Sequence, residues 1–415
     1  MIAIDPLRRA IVGEMHLRPS PAIDPPARII QLLALHGPDD LVHVLDFAVR
    51  MGIDLGPDAG RRDGSVERSG VVYLWERHAE ASTLTLLIPN GLDTTREAEA
   101  IERAAQLPGR VLRAIKIDVT ADDRLAASLF EELGLGRAET VAGQAGPLKF
   151  WSDFKLDDTT GFGRLLVQVD RSDPRMVGRL IQQLQELGNY RNLALVGLPT
   201  VRQHEPQLAE LEIALGRIVK HLGTAGDDQA ILNELVEIAS TVAQMRSETA
   251  YRLSATAAYG RIVGERLASL DPRPLTGFQT LAEFTNRRLM PALRTCENFT
   301  GRLDRLATHI EHATGLLRAR IDTRLHLQNG ELLKSLSETA TNQLQLQHLV
   351  EGLSVFAVSY YAIGLLAYAF EAVPRDMLAN PTFAIGASVL PVFLIAALWL
   401  RAQRKAHSPN IGNSG

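Results

Sequence analysis

The spacing of hydrophobic residues changes character along this chain, and the changes divide it. Between Ala27 and Ala48 two short clusters, Ile29, Ile30, Leu32, Leu33 and then Leu41, Val44, Leu45, Phe47, sit at helical spacing around a Gly37-Pro38 turn. A charged, Gly-rich stretch from Gly52 to Gly70 follows. Val71 to Glu76 is then β-branched and aromatic, and Thr83 to Ile88 matches it across a short connection, which predicts an antiparallel hairpin. Val111 to Val119 predicts a further strand and Asp122 to Leu133 a helix. Leu148 to Lys155 and Arg164 to Val169 predict a second strand pair around a turn containing Asp157, Asp158, Gly161 and Gly163. Residues 1–171 are thus expected to form an α+β or α/β domain.

From Ser172 the pattern is helical. Asp173 followed by Pro174 is a helix start, because the aspartate caps free N–H groups and proline suits the first turn; Met176, Val177, Leu180, Ile181, Leu184 and Leu187 continue it. Strand signals are then absent. Glu205–Leu222, Gln229–Leu270 and Phe278–Val350 are rich in Leu, Ala, Arg, Glu and Gln, broken by Gly223–Asp228 and Asp271–Gly277, and read as a long helical hairpin or stalk over 172–350. Pro291 is expected to kink the last segment or mark a boundary in it. Leu303, Leu306, Ile310, Ala313, Leu317, Ile321, Leu325, Leu332 and Leu336 keep three- and four-residue steps, with Gln328 where an apolar residue is due. That is a coiled-coil-like seam, serving either contacts within the chain or contacts between subunits.

The C-terminal pattern is different again. Gly352–Phe370 and Pro381–Leu400 carry no formal charge, and at about 1.5 Å per residue each approaches the thickness of a bilayer core. The expected arrangement is a two-helix transmembrane hairpin over 351–401 with a tail at 402–415, overall mostly α. Arg401, Arg404 and Lys405 flank the distal end, whereas the 371–380 loop sets Arg375 against Glu371 and Asp376, so both termini are expected in the cytoplasm and the protein in the inner membrane. Trp399 suits the interface, and Ala384 with Ser388 forms a small-residue pair four apart.

Composition narrows the functional classes. A hydrophobic content of 46% over 415 residues fills a sizeable core and excludes disorder. A formal charge of -4 leaves no basic field for nucleic acid. Met1–Pro19 has charges throughout and no apolar run, so it is not a signal peptide, and one cysteine, Cys296, excludes an intramolecular disulfide and reads as a buried thiol.

Motifs for phosphate loops, zinc proteases, CxxC pairs and nucleophile elbows are missing, and Gly161-Phe162-Gly163 lacks the third glycine of a dinucleotide site, so no cofactor is named. His309 and His312, three apart on a helix, have a spacing compatible with one metal ion, but such pairs are usually solvated helix surface. Glu14, His16 and Arg18 form one polar cluster; Trp75, Glu76, Arg77 and His78 form a second, and Trp151 with Asp153 a third. The expectation for them is an ion-pair network tying the N-terminal segment to the sheet, rather than catalysis, because no nucleophile or metal set accompanies them. Glu351, beside Gln347 and His348, stands at the mouth of the first apolar segment.

Several of these residues recur in a wider pattern: Leu7-Arg8-Arg9 with Glu14-Met15-His16-Leu17-Arg18-Pro19, Trp75-Glu76-Arg77-His78-Ala79-Glu80, Trp151-Ser152-Asp153-Phe154, Gly178-Arg179-Leu180, Gln328-Asn329 with Leu332-Leu333, and Val350-Glu351-Gly352-Leu353-Ser354 leading to Tyr360-Tyr361. On them the chain resembles a family of membrane-anchored bacterial proteins catalogued as a domain of unknown function, number 3422. The resemblance implies a membrane location and transfers no catalytic residue. The element order also looks like that of CorA-type divalent-cation channels, but where those carry Gly-Met-Asn this chain has Tyr368-Ala369-Phe370-Glu371. The expectation is a membrane-anchored scaffold or regulatory protein partnered by the bilayer, by copies of itself and by other proteins, with a divergent channel or a membrane-bound enzyme as alternatives.

Overall fold

The computed structural model describes Asp5, Arg8 and residues 20–56, 61–90, 94–222, 227–372 and 381–407. The chain is mixed α+β and forms two compact units, Met1–Thr314 and Gly315–Gly415. The first is built on a nine-stranded sheet, ordered β2-β3-β4-β1-β5-β8-β7-β6-β9. Its strands are β1 Ala27–Leu35, β2 Asp63–Arg68, β3 Val71–Arg77, β4 Ala81–Pro89, β5 Arg110–Thr120, β6 Val141–Ala145, β7 Leu148–Ser152, β8 Gly163–Val169 and β9 Gln279–Thr280. The β3/β4 and β7/β8 pairs are the antiparallel pairs that the pattern predicts. Among the described residues, only β5/β8 and β6/β9 run parallel.

Residues 29–33 are not helical, as their spacing had indicated, but lie in central strand β1. Hydrogen-bonded to β4 on one side and β5 on the other, β1 is buried on both faces, so it shows a continuous apolar run instead of alternation. The second cluster of that segment does form a helix, α1 Leu41–Arg50. Edge strand β2 falls within the charged Gly-rich stretch because its side chains are mostly solvated, and α2 Thr94–Ala104 and β6 also lay beyond what the pattern indicated. Helix α3 Asp123–Glu132 starts where predicted, with the Asp122 carboxylate accepting from the Arg124 and Leu125 N–H groups. The two-residue β9 interrupts a region expected to be purely helical.

One sheet face carries Ile30, Leu32, Tyr73, Trp75, Leu84, Leu86 and Ile88 and packs with Val44 and Phe47 of α1 and Ala100 and Ala104 of α2. The other carries Ile29, Ile117, Val119, Leu165 and Val167 and packs with Val177, Ile181, Leu184 and Leu187 of α4 Pro174–Leu195. Asp173 caps α4 by accepting from the Arg175 N–H. Next to that cap, the Ile23 N–H donates to Pro174 O, and a Cβ on Gly178 would stand 1.9 Å from Pro21 O. Glycine there lets the segment before β1 cross directly over the helix.

Helices α5 Gly197–His221, α6 Asp228–Leu270 and α7 Leu281–Glu371 follow, α5 starting eight residues before the predicted Glu205 and passing through Pro206. The α7 helix runs through Pro291 without ending; Leu289 and Leu293 on either side are buried, and that packing outweighs one lost hydrogen bond. In the first unit Arg302 of α7 pairs with Glu205 and Glu212 of α5, and Asp304 pairs with Arg246 of α6 at 2.9 Å. The predicted seam divides in two: Leu303, Leu306, Ile310, Ala313 and Leu317 are buried, whereas Leu325, Leu332 and Leu336 are at least half exposed. Cys296 is buried, and burial pushes its thiol pKa up.

The second unit contains the distal part of α7 and α8 Pro381–His407. Among the described residues α7 is the one helix long and apolar enough to cross a membrane; α8 has a shorter apolar stretch, Ile385–Trp399. Phe356 and Phe393 meet at 5.5 Å between ring centroids.

Gly178→Ala should destabilise the protein by about 1–3 kcal/mol, since a backbone carbonyl occupies the space a methyl would need. Gly216→Ala, inside α5 with nothing within 4 Å, should instead stabilise by about 0.5–1 kcal/mol. Chemical denaturation of the two variants beside wild type measures both; equal stabilities would show that the segment before β1 is free of α4.

Candidate functional site

Apolar packing of α4 on the sheet stops short of the β2-β3-β4-β1 end, because the facing residues there are polar. On the sheet these are Gln31, Thr83 and Thr85; on the helix they are Gln182, Gln185, Glu186 and Asn189, one stripe at three- and four-residue spacing. A cavity of about 200 Å³ lies between them, closed by Ile29, Leu33, Leu87, Tyr190 and Leu193 and bordered by Pro21.

The cavity has a floor and a rim. Gln31, Thr83, Gln185 and Asn189 are each no more than 6% exposed. Glu76, His78 and Glu186 keep 26–32% of their side chains in solvent. Behind the floor, Arg113 of β5 donates through Nη1 to Gln31 Oε1 and to Asn189 Oδ1, both at 2.9 Å. Gly188 makes room for it, as a Cβ there would lie 2.6 Å from the guanidinium. Burial, reinforced by the charge of Arg191, pushes the Arg113 pKa down to about 9, so the group stays protonated at neutral pH. Gln31 Nε2 donates to Thr85 Oγ1, while Gln185 Nε2 is buried without a hydrogen-bond partner among the described residues.

On the rim, His78 Nε2 lies 4.0 Å from Glu76 Oε2. Glu186 accepts from Gln182 Nε2 at 3.1 Å and pairs with Arg266 of α6 at 3.2 Å. Its pKa is nevertheless raised: desolvation is the largest cause, Arg266 opposes it, and the neighbouring Glu76 charge adds to it. This arrangement is suited to binding, with donors beneath and carboxylates at the opening.

The sequence candidates are distributed unevenly around this cavity. Glu76 and His78 stand on its rim. Trp75 borders it along the strand, but its ring belongs to the core of the opposite face, and alternation turns Arg77 the same way. Glu14, His16 and Arg18 lie outside the described residues. Trp151 packs edge-on against Phe130, and Asp153 is paired with Arg164 at 3.0 Å, away from the cavity. His309 and His312 are exposed on α7, and no group of three potential metal ligands gathers among the described residues. Glu351 accepts from Gln347 Nε2 one turn earlier and faces His348.

The floor itself was missed. Gln31 was concealed by the helical reading of β1, and Arg113 by its place in an otherwise ordinary strand. The recurring polar residues 182, 185, 186 and 189 were the available signal. A second charged cluster, Arg28 with Asp118 and Glu97 and Lys116 with Glu97, at 2.6–2.7 Å, is internally paired and ties β1, β5 and α2 together.

A family model described as a protein of unknown function (DUF3422) matches residues 3–407. The chain belongs to this family. Comparisons with curated proteins and with solved structures find no match. Within the stretches that carry the resemblance, several residues now have physical duties. Gly178 admits the crossing of Pro21, Glu80 pairs with Arg252 of α6 at 2.8 Å, and Ser152 Oγ donates to Arg164 O at 2.7 Å.

The raised pKa of Glu186 gives a signed prediction. The folded state holds this proton more tightly than the unfolded state, so the group's contribution is fully present below the ordinary value of 4.5 and is lost as pH rises through the raised folded value. Glu186→Gln should therefore gain stability relative to wild type at pH 7, with the gain shrinking toward zero at pH 4 (about the unfolded carboxylate pKa). Denaturant midpoints at the two pH values check it; a loss at pH 7 would mean that the Arg266 pair dominates.

Proposed function

We propose that this chain is a membrane-tethered, cytoplasm-facing interaction protein, in which a helical stalk joins a cleft-bearing α+β domain to a two-helix hairpin in the bilayer. The observation carrying this proposal is the exposure of large apolar side chains at the end of α7 and along α8. Leu353, Phe356, Tyr360, Leu365, Phe383, Leu390 and Ile395 are 65–79% exposed. Removing such side chains from water is worth about 1.5–3 kcal/mol each, so a lipid environment accounts for a surface that water would disfavour.

Three further features support the same reading. The Phe356–Phe393 contact suits two helices lying antiparallel. Ser354 and Ser388 hydroxyls donate to Val350 O and Ile385 O on their own helices, satisfying polar groups as a bilayer requires. The Arg401, Arg404 and Lys405 flank suits the cytoplasmic side. Upstream, Leu332, Leu336, Leu344 and Leu346 are 56–62% exposed on a charged helix, which favours association between copies of the stalk.

The full chain should remain in the membrane pellet after high-salt washing, and a chain truncated after Gln343 should appear in the supernatant with its helical circular dichroism retained. Reporter fusions after Gly415 and within 371–380 should give opposite signals. Recovery of the full chain in the soluble fraction would sink the anchor. A monomeric mass in detergent would remove stalk association, and with it any channel.

A further inference from the structure

The polar groups of the α4 cavity are sorted by sign, and the sorting describes a ligand. At the floor, Arg113 fixes the carbonyl oxygens of Gln31 and Asn189 and thereby turns their amide nitrogens away from itself. Its hydrogen-bond partners are neutral amides, so its positive charge stands behind the floor without a carboxylate in contact among the described residues. Gln185 adds a buried amide nitrogen with no hydrogen-bond partner among the described residues. A buried donor surface backed by a cation is complementary to an anionic acceptor, and a carboxylate is a planar acceptor that two amide donors can share.

The rim has the opposite sign. Glu186 and Glu76 both line the opening, and although Glu186 pairs with Arg266 at 3.2 Å, desolvation and the Glu76 charge still oppose its ionisation, so a further cation such as an ammonium group would stabilise it. A simple anion would meet this acidic rim on entry, and a simple amine would meet Arg113 at the floor. The volume, about 200 Å³, corresponds to about seven waters at about 30 Å³ each and is below the usual range for drug-sized ligands, so the occupant is metabolite-sized.

We propose that this cavity binds a small zwitterion of the amino-acid type, its carboxylate on the Gln185 and Asn189 amides and its ammonium at Glu186 and Glu76. Binding would add contacts between α4 and strands β1, β3 and β4, giving the domain a chemical input. The proposal does not depend on membrane anchoring.

The test is calorimetric titration of the full chain in detergent with glycine, alanine, serine, threonine and γ-aminobutyrate, beside acetate and methylamine, which each carry one of the two charges. At least one zwitterion should bind saturably at one site per chain and raise the melting temperature, with acetate and methylamine at least about tenfold weaker. Glu186→Gln should lower the zwitterion's affinity to that of acetate and leave acetate's own affinity unchanged or improved, whereas Gln185→Leu should weaken both. Melting curves establish that each variant is folded; Glu186→Gln alters charge with almost no change of shape and decides the matter if Gln185→Leu does not fold. Failure of every zwitterion to bind, binding of acetate as tight as that of the best zwitterion, or indifference to Glu186→Gln would each overturn the proposal.

Discussion

The contact between α4 and the sheet is the constraint on which the first unit depends. One stripe of the helix, Val177, Ile181, Leu184 and Leu187, closes the core over β5 and β8, and the adjoining stripe, Gln182, Gln185, Glu186 and Asn189, leaves a polar cavity over β1 and β4. Both follow from a single placement, held at the helix start by the Asp173 cap and by the crossing of Pro21 over Gly178. The helix therefore cannot rotate to bury more apolar area without moving amides into the core, where unpaired polar groups are costly.

Charge is used in the same economical way. The Arg28, Glu97, Lys116 and Asp118 cluster closes upon itself, Glu80 is answered by Arg252, and Arg302 by two glutamates. Pairs of this kind specify which elements meet more than they add stability, since desolvation offsets much of the attraction. Arg113 and Arg191 differ. The first rests on amide oxygens, and the second lies over the Phe154 ring at 4.1 Å, with Phe284 stacked on that ring. Two part-buried cations held by neutral groups make the interior beside α4 electropositive, in contrast to the acidic rim of the cavity.

The α7 helix shows how one element serves two environments. Its seam leucines are buried as far as Leu317, and beyond that the same spacing continues with its apolar side chains largely exposed. Periodicity describes which side of a helix is apolar; it does not say what covers it.

Legibility in the sequence followed the locality of the signal. Strands β3 and β4, the β7/β8 pair, the α3 and α4 starts and the apolar C-terminal segments could be read from neighbouring residues, because alternation, capping and uninterrupted apolar length are local properties. The fate of Ile29–Leu33 depended on strand neighbours on both sides, Leu87 to Thr83 of β4 and Ile117 to Arg113 of β5, which lie far along the chain. Glu76 and His78 stood out as titratable groups, but a cavity needs both of its walls. Gln31, Arg113, Gln185 and Asn189 acquire a common role only when α4 is laid across the sheet, since three distant segments must converge before their amides and charges face one space. Sequence determined the elements whose signals are local and their apolar faces, and tertiary structure decided which polar residues share an interior, because that depends on packing between segments that no local pattern records.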